Sequence, residues 1–292
     1  MFIINYRIFF FIISATAIVL SVFAVATKGF TTGIDFKGGS ILEVSYDTIP
    51  GTDMLKNALD EAGFTDARIQ TAGESDVIIK TRDLSESEHQ SLVGALSLGG
   101  EFSVSEKRFS SIGPTIGKEL RSKALVAIVL VITGIVLFIA YAFRRVSKPI
   151  SSWKYGVVTS LTLIHDVIIP TGIFVWMGKE VDTLFVVALL SIIGISVHDT
   201  IVVFDRIREN LKMKLSSDFA TTVGKSLEQT FSRSINTSVT VMFVLATLFF
   251  FGPSSTKDFS FILWIGIFIG TYSSVFIASP LLVVIEKRWN RG

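Results

Sequence analysis

The sequence predicts a polytopic α-helical membrane protein, with six transmembrane helices and a ferredoxin-like α+β extracytoplasmic insert between the first two. Three observations predict it. Half of the 292 residues are apolar and the mean hydropathy is +0.60, well above that of an ordinary soluble domain. Six runs reach the roughly 20 apolar residues that a bilayer crossing needs. Basic residues gather beside alternate ends of those runs, as they do where basic loops resist translocation.

The first run, 8–27, contains Ala24-Val25-Ala26, which resembles a signal-peptidase site. Its apolar length exceeds a signal core, so 1–27 is read as N-terminus plus an uncleaved span. Residues 28–123 form the insert. There "SILEVSYD" alternates like a strand, Pro50-Gly51 opens the helical run "TDMLKNALDEAGF", "ARIQTA" and "SDVIIKTR" read as strands, "SESEHQSLVGAL" is helical and "EFSVSEKRF" is a last strand. The order β-α-β-β-α-β is ferredoxin-like, and a fold of this kind hosts many functions. The remaining five spans, near 124–143, 155–177, 183–204, 233–251 and 260–285, complete the bundle over 124–292. Within it lies a polar cytoplasmic loop, 205–232. The scattered Leu211, Leu215, Phe219, Val223 and Leu227 of that loop suggest a helix lying along the membrane surface.

Orientation follows from charge. Arg7, Arg144, Arg145, Lys148, Lys154, Arg206, Arg208, Lys212, Lys214, Lys225, Lys287, Arg288 and Arg291 flank one set of span ends, whereas the opposite short loops hold only Lys179 and Lys257. Both termini are therefore expected in the cytoplasm and the insert across the membrane. The net charge of +2 argues against nucleic acid as a partner, and the lack of cysteine removes disulfides, thiolate metal sites and a cysteine nucleophile.

The chemistry-bearing residues lie inside the spans. In "SIIGISVHDTIVVFDRIREN" (191–210), Ser191, Gly194, His198 and Asp205 share a helix face about 60° wide with Asp199 on its shoulder. An Asp at a helix centre costs about 2.5–3.5 kcal/mol, so it normally faces a bundle interior with a partner or a water cavity. Span three repeats the device with Thr159, Thr162 and Asp166 in a stripe and His165 beside the Asp. There Pro170, lacking an N–H, frees the Asp166 carbonyl, giving either a polar pocket or a kink satisfied by a neighbouring helix. In span five Arg233, Asn236, Thr237, Thr240 and Thr247 share a stripe. Arg233 is then either a snorkelling cation or the partner of Asp199. Metal binding by the two His-Asp pairs is disfavoured because neither has a helical His-x-x-x-His spacing. An intramembrane aspartyl protease using Asp166 and Asp199 is disfavoured by the missing Gly-x-Gly-Asp context.

With these residues in view, the chain resembles the smaller subunit of the SecD/SecF protein-export family, relatives of the resistance-nodulation-division transporters. "GIDFKGGS" (33–40), "IGPTIGKELRSKAL" (112–125), "HDVIIPTGIF" (165–174), "GISVHDTIVVFDRIREN" (194–210) and "RSINTSVTV" (233–241) carry the resemblance in family order. It implies a non-enzymatic, multi-pass subunit of the bacterial inner membrane that uses the proton-motive force in late export. Its implied partners are SecD as an obligate heteromer, the SecYEG channel, YajC and YidC, the unfolded exported polypeptide and membrane lipid. The ion-coupling residues fall on Asp199 and Arg233, with a transported proton, or alternatively sodium, and with no cofactor or metal.

His198, Ser191, Asp166, His165, Asn236, Thr237 and Thr240 would form the supporting polar network. Asp205, Arg206 and Arg208 match the charged cytoplasmic boundary, where structural and positioning roles are expected. Gly33, Asp35, Gly38 and Gly39 match the family's Gly-rich loop, which as a bare pattern reads as a turn, since it neither follows a strand nor opens a helix as a phosphate loop does. The rival reading is half of a small-molecule or lipid transporter on the same bundle. An insert of about 95 residues is small for the docking domain that such a protein would need.

Overall fold

The computed structural model describes residues 2–73, 75–142 and 151–289, so Arg144, Arg145, Lys148 and Arg291 of the basic set lie outside the described residues. A single turn, α1 (Phe2–Asn5), precedes the first apolar helix, α2 (Arg7–Lys28). A second single turn, α3 (Ile34–Lys37), then leads into β1 (Gly39–Tyr46), α4 (Thr52–Glu61), β2 (Arg68–Ala72), β3 (Asp76–Thr81), α5 (Glu86–Leu96) and β4 (Val104–Ile112). Five further helices follow: α6 (Pro114–Ala142), α7 (Ser152–Trp176), α8 (Thr183–Lys212), α9 (Phe219–Phe251) and α10 (Ser254–Ser273). A π-helical segment, Ser274–Ala278, joins α10 to α11 (Ser279–Trp289). The chain forms two compact units, Thr32–Leu125 with Val181–Thr183, and the remainder.

In the smaller unit the four strands pair antiparallel in the order β2-β3-β1-β4, the ferredoxin-like topology. Alternation in the strands sends Leu42, Val44 and Tyr46 of β1 and Val77 and Ile79 of β3 to one face of the sheet. There they pack with Leu55 and Leu59 of α4 and Leu92 and Leu96 of α5 in one buried cluster. The start of α5 is fixed by a capping box: Glu88 N–H donates to Ser85 Oγ at 3.4 Å and Ser85 N–H donates to Glu88 Oε2 at 2.8 Å. Arg82 adds an ion pair to Glu88 at 2.6 Å. At the cluster's edge the Tyr46 hydroxyl donates to the Leu96 carbonyl at 3.1 Å, and burial pushes its phenol up to about 12.

Among the described residues six helices are long and apolar enough to cross a membrane, with α10 and α11 together making the sixth. More than half of the apolar stretch is buried in α7, in α8 and in the α10–α11 span, whereas α2, α6 and α9 leave most of theirs exposed. Such an outer surface suits lipid or a protein partner rather than water.

The 205–232 stretch differs from the surface helix expected of it. Residues 205–212 continue α8, a turn occupies 213–218, and α9 starts at Phe219, so the two helices run past the apolar spans as a hairpin. Phe219, Val223 and Leu227 are buried in the bundle core with Ile207, and Leu211 packs against it; Leu215 stays exposed. The buried amide of Asn210 donates at 2.8 Å to both Ser226 Oγ and Gln229 Oε1, pinning the register of the hairpin. The turn begins as a Schellman motif. Leu215 N–H donates to Asn210 O and Lys214 N–H to Leu211 O, both at 3.1 Å, with Lys214 in the left-handed region at φ 53°.

Candidate functional site: two buried carboxylates and a Gly-rich loop

Asp166 is fully buried on α7 and gathers donors from three helices. Ser196 of α8 donates to its Oδ2, Ser273 of α10 does so at 2.7 Å, and His165 meets Oδ1 through Nδ1 at 2.8 Å. His165 in turn reaches Ser14 of α2 through Nε2 at 3.1 Å. The carboxylate therefore sits at the junction of four helices with its acceptor capacity largely filled, the condition under which a buried charge is tolerated. Nearby, Pro170 is carried inside an uninterrupted α7, while α2 approaches closely. Ser21 packs on Gly172 and its hydroxyl donates to the Ile169 carbonyl at 3.4 Å.

Asp199 is buried on α8, and its environment is sparser. The Ser238 hydroxyl of α9 lies 3.5 Å from Oδ2 and pairs with Thr271 Oγ1 of α10 at 2.5 Å. Ser274 follows within the π-helical segment and meets Thr200 Oγ1 at 2.9 Å and the Ser196 carbonyl at 3.3 Å. The π-helical segment thus opens just after Thr271, which pairs with the Ser238 hydroxyl beside Asp199, and directly after Ser273, which donates to Asp166. Ser238, Thr271, Ser196 and Ser273 were not singled out in the sequence.

The expected partners divide between two faces. Arg233, Asn236, Thr237 and Thr240 lie on the exposed side of α9, and Gly194 and His198 on the exposed side of α8, with Ser191 half-buried beside them. Arg233 forms no ion pair with Asp199 among the described residues. At the C-terminal end of α8, Arg208 pairs with Asp205 and Arg206 with Glu209, each at 2.5 Å, and Arg206 Nε donates to Gln229 at 2.6 Å. His165 points inward to Asp166 while His198 faces out. Among the described residues no group of three or more His, Asp or Glu side chains converges, and Asp166 and Asp199 share no hydrogen bond.

The Gly-rich loop has a steric explanation. Gly38 (φ 84°) and Gly39 (φ 142°) occupy backbone regions that other residues avoid. A Cβ on Gly38 would stand 2.9 Å from Pro114 Cα, and one on Gly39 would stand 2.7 Å from the Thr81 carbonyl oxygen. Asp35, between Gly33 and Gly38, accepts from the Thr183 N–H at 2.9 Å.

Six membrane-length helices, an α+β insert between the first two and carboxylates buried among hydroxyls define a multi-pass membrane protein of transporter-like build. Comparison with known proteins narrows the class. Residues 95–288 match the family described as "Protein export membrane protein SecD/SecF, C-terminal", and residues 23–48 match the "SecD/SecF GG Motif". The chain is 39% identical to the protein translocase subunit SecF of Thermobaculum terrenum, over 98% of this chain and 94% of that one. It is 36% identical to that of Vibrio alginolyticus, over 93% and 85%. The crystal structure of SecDF from Thermus thermophilus, a translocon-associated membrane protein, superposes with a TM-score of 0.84 at 31% identity. The match covers 98% of this chain and 38% of the longer SecDF chain. The chain belongs to the SecD/SecF family.

Proposed function

We propose that this chain is the smaller membrane subunit of a SecD/SecF complex that uses the proton-motive force to assist late steps of protein export through the SecYEG channel. The observation that carries the reading is Asp199, a buried carboxylate with hydroxyl neighbours and, among the described residues, no ion pair, on a bundle with an exposed intramembrane stripe headed by Arg233. A face bearing Arg233, Asn236, His198 and Gly194 is costly against lipid, and pairing with the related spans of SecD would cover it. Asp199 and Arg233 then act as ion-coupling residues at that junction, with a proton as the carried ion. One charge crossing 100 mV supplies about 2.3 kcal/mol, enough to bias a conformational step but not to unfold a domain.

In this reading the protein resides in the bacterial inner membrane with both termini cytoplasmic. The insert faces the opposite side, where it meets exported polypeptide, and YajC and YidC are further members of the assembly. The test is co-purification of SecD and SecYEG with the full chain, followed by release of a translocating substrate from vesicles with and without an imposed proton gradient. Release that ignores the gradient, or a chain that purifies without SecD, would overturn the reading.

A further inference from the structure

The role of the Gly-rich loop is not explained by the buried carboxylates. Residues 32–35 run alongside 181–183, with Thr32 and Val181 paired as parallel bridge partners and the Gly33 N–H donating to the Val181 carbonyl at 2.9 Å. The fit there is close enough that a Cβ on Gly33 would stand 3.1 Å from Asp182 Cβ. The third link is the Asp35 carboxylate, which accepts the N–H of Thr183, the first residue of α8. That N–H is one of the four donors that a helix cannot satisfy internally, and a negative group is favoured at this end by the helix dipole. The loop's path is fixed on the far side too, since Gly38 and Gly39 each tolerate no side chain where they stand.

We propose that Asp35 is a positioning residue: it caps α8 from outside that helix and, with Thr32 and Gly33, clasps residues 181–183, so that the helix bearing Asp199 keeps a fixed end. Asp199 lies sixteen residues further along α8, roughly 24 Å by helical rise. The functional consequence rests on the export reading above, whereas the clasp itself does not.

The test uses the full chain in lipid nanodiscs and reads amide hydrogen exchange at Gly33 and Thr183, one on each side of the clasp. In Asp35→Ala both amides should exchange about fivefold faster, the equivalent of the ~1 kcal/mol that a capping acceptor contributes. Asp35→Asn, which keeps an acceptor oxygen in place, should retain most of the protection. The chain has no cysteine, so Thr32→Cys with Val181→Cys can form only one disulfide. Adjacent strands lie about 4.8 Å apart, within the roughly 4.4–6.8 Å that a disulfide spans. On the Asp35→Ala background, oxidation of this pair should restore protection at Gly33, and reduction should remove it.

Faster exchange at Thr183 with Gly33 unchanged would overturn the clasp. In SecD-containing vesicles, gradient-stimulated release should fall severalfold in Asp35→Ala and return on oxidation of the cysteine pair. A loosened clasp with release unaltered would overturn the positioning role. Wild-type vesicles that ignore the gradient would instead count against the export reading, and the exchange data would then decide the clasp by themselves.

Discussion

The Ser238 hydroxyl of α9 stands 3.5 Å from Asp199 Oδ2, so among the described residues the carboxylate is met by a hydroxyl donor and not by a bonded cation. If Asp199 carries the ion, Asp199→Asn should leave folding and SecD association intact and abolish gradient stimulation of substrate release, while Asp199→Glu keeps partial function. Ser238→Ala removes one long contact and should have the smaller effect. Arg233→Lys keeps charge but loses the planar fork, so it should weaken gradient stimulation if Arg233 meets a carboxylate across the partner junction. Release from vesicles at matched expression decides among these. An Asp199→Asn chain that responds like wild type moves the ion site elsewhere, with Asp166 the next candidate.

Asp166 should matter to stability first. Asp166→Ala strands His165 Nδ1 and the Ser196 hydroxyl in a buried junction, while the Ser273 hydroxyl keeps only the Gly270 carbonyl. A loss of about 3–5 kcal/mol is expected, against about 1–2 kcal/mol for Ser273→Ala. Unfolding in mixed detergent micelles reports both. Equal costs would mean that the four helices are not organised around this carboxylate.

The glycines of the insert offer an internal comparison. Gly63 has φ 90° with no atom near its missing Cβ, so Gly63→Ala pays backbone strain alone, about 1 kcal/mol. Gly39→Ala adds a collision with the Thr81 carbonyl oxygen to a backbone region that is essentially glycine's own, and should cost more than about 3 kcal/mol. Protease susceptibility of the insert in otherwise intact protein ranks the two.

Acid should loosen the insert. The Arg82 guanidinium and the Ser85 N–H and hydroxyl hold Glu88 down at about 2 from an ordinary 4.5. Asp76 is lowered first by Lys107. At Asp66 burial acts upward but is outweighed by the Arg82 N–H and the Thr81 hydroxyl. A depressed folded-state value contributes stability that is present above the unfolded value and lost as pH falls through the folded one. Exchange protection of core amides such as Leu92, corrected for intrinsic rate, should therefore decline from about pH 4.5 toward 2. Glu88→Gln should remove the lower part of that decline.

Lys214 holds the left-handed position that ends α8, at φ 53°, where glycine is the usual occupant. Lys214→Gly should stabilise the hairpin by about 0.5–1 kcal/mol, seen as slower exchange at Asn210 and Leu211. No gain would mean that the lysine side chain offsets its own strain.

The spans and the insert's strand and helix order were legible because each follows a hydrophobic period, 3.6 in one part and 2 in the other. The site was legible only in its chemistry. Asp166, His165 and Asp199 stand out because a carboxylate in an apolar run needs a reason, but a polar stripe says only that a face avoids lipid. It does not distinguish a helix's own core from a partner's. Hydroxyls blur this further, since Ser191, Thr237 and Thr240 each donate to the carbonyl four residues back and need no tertiary partner. Ser196, Ser238 and Ser273 reach across to the carboxylates, yet nothing in their sequence context separates them from the others. The helical hairpin over 205–232 was hidden for a related reason: its charges resemble a loop, while Ile207, Phe219, Val223 and Leu227 turn inward.

The π-helical segment at Ser274–Ala278 also constrains how this chain tolerates length changes. Such a segment holds one residue more than a regular helix over the same rise, so deleting a single residue there would give better local hydrogen bonding. In a regular helix such a deletion would turn everything after it by about 100°, whereas here the extra residue is already absorbed in the wide turn, so the fully buried Leu282 and Val283 would keep facing the core they fill. A frame-preserving loss of one codon, disruptive in a regular buried helix, would here leave the core contacts of α11 in register.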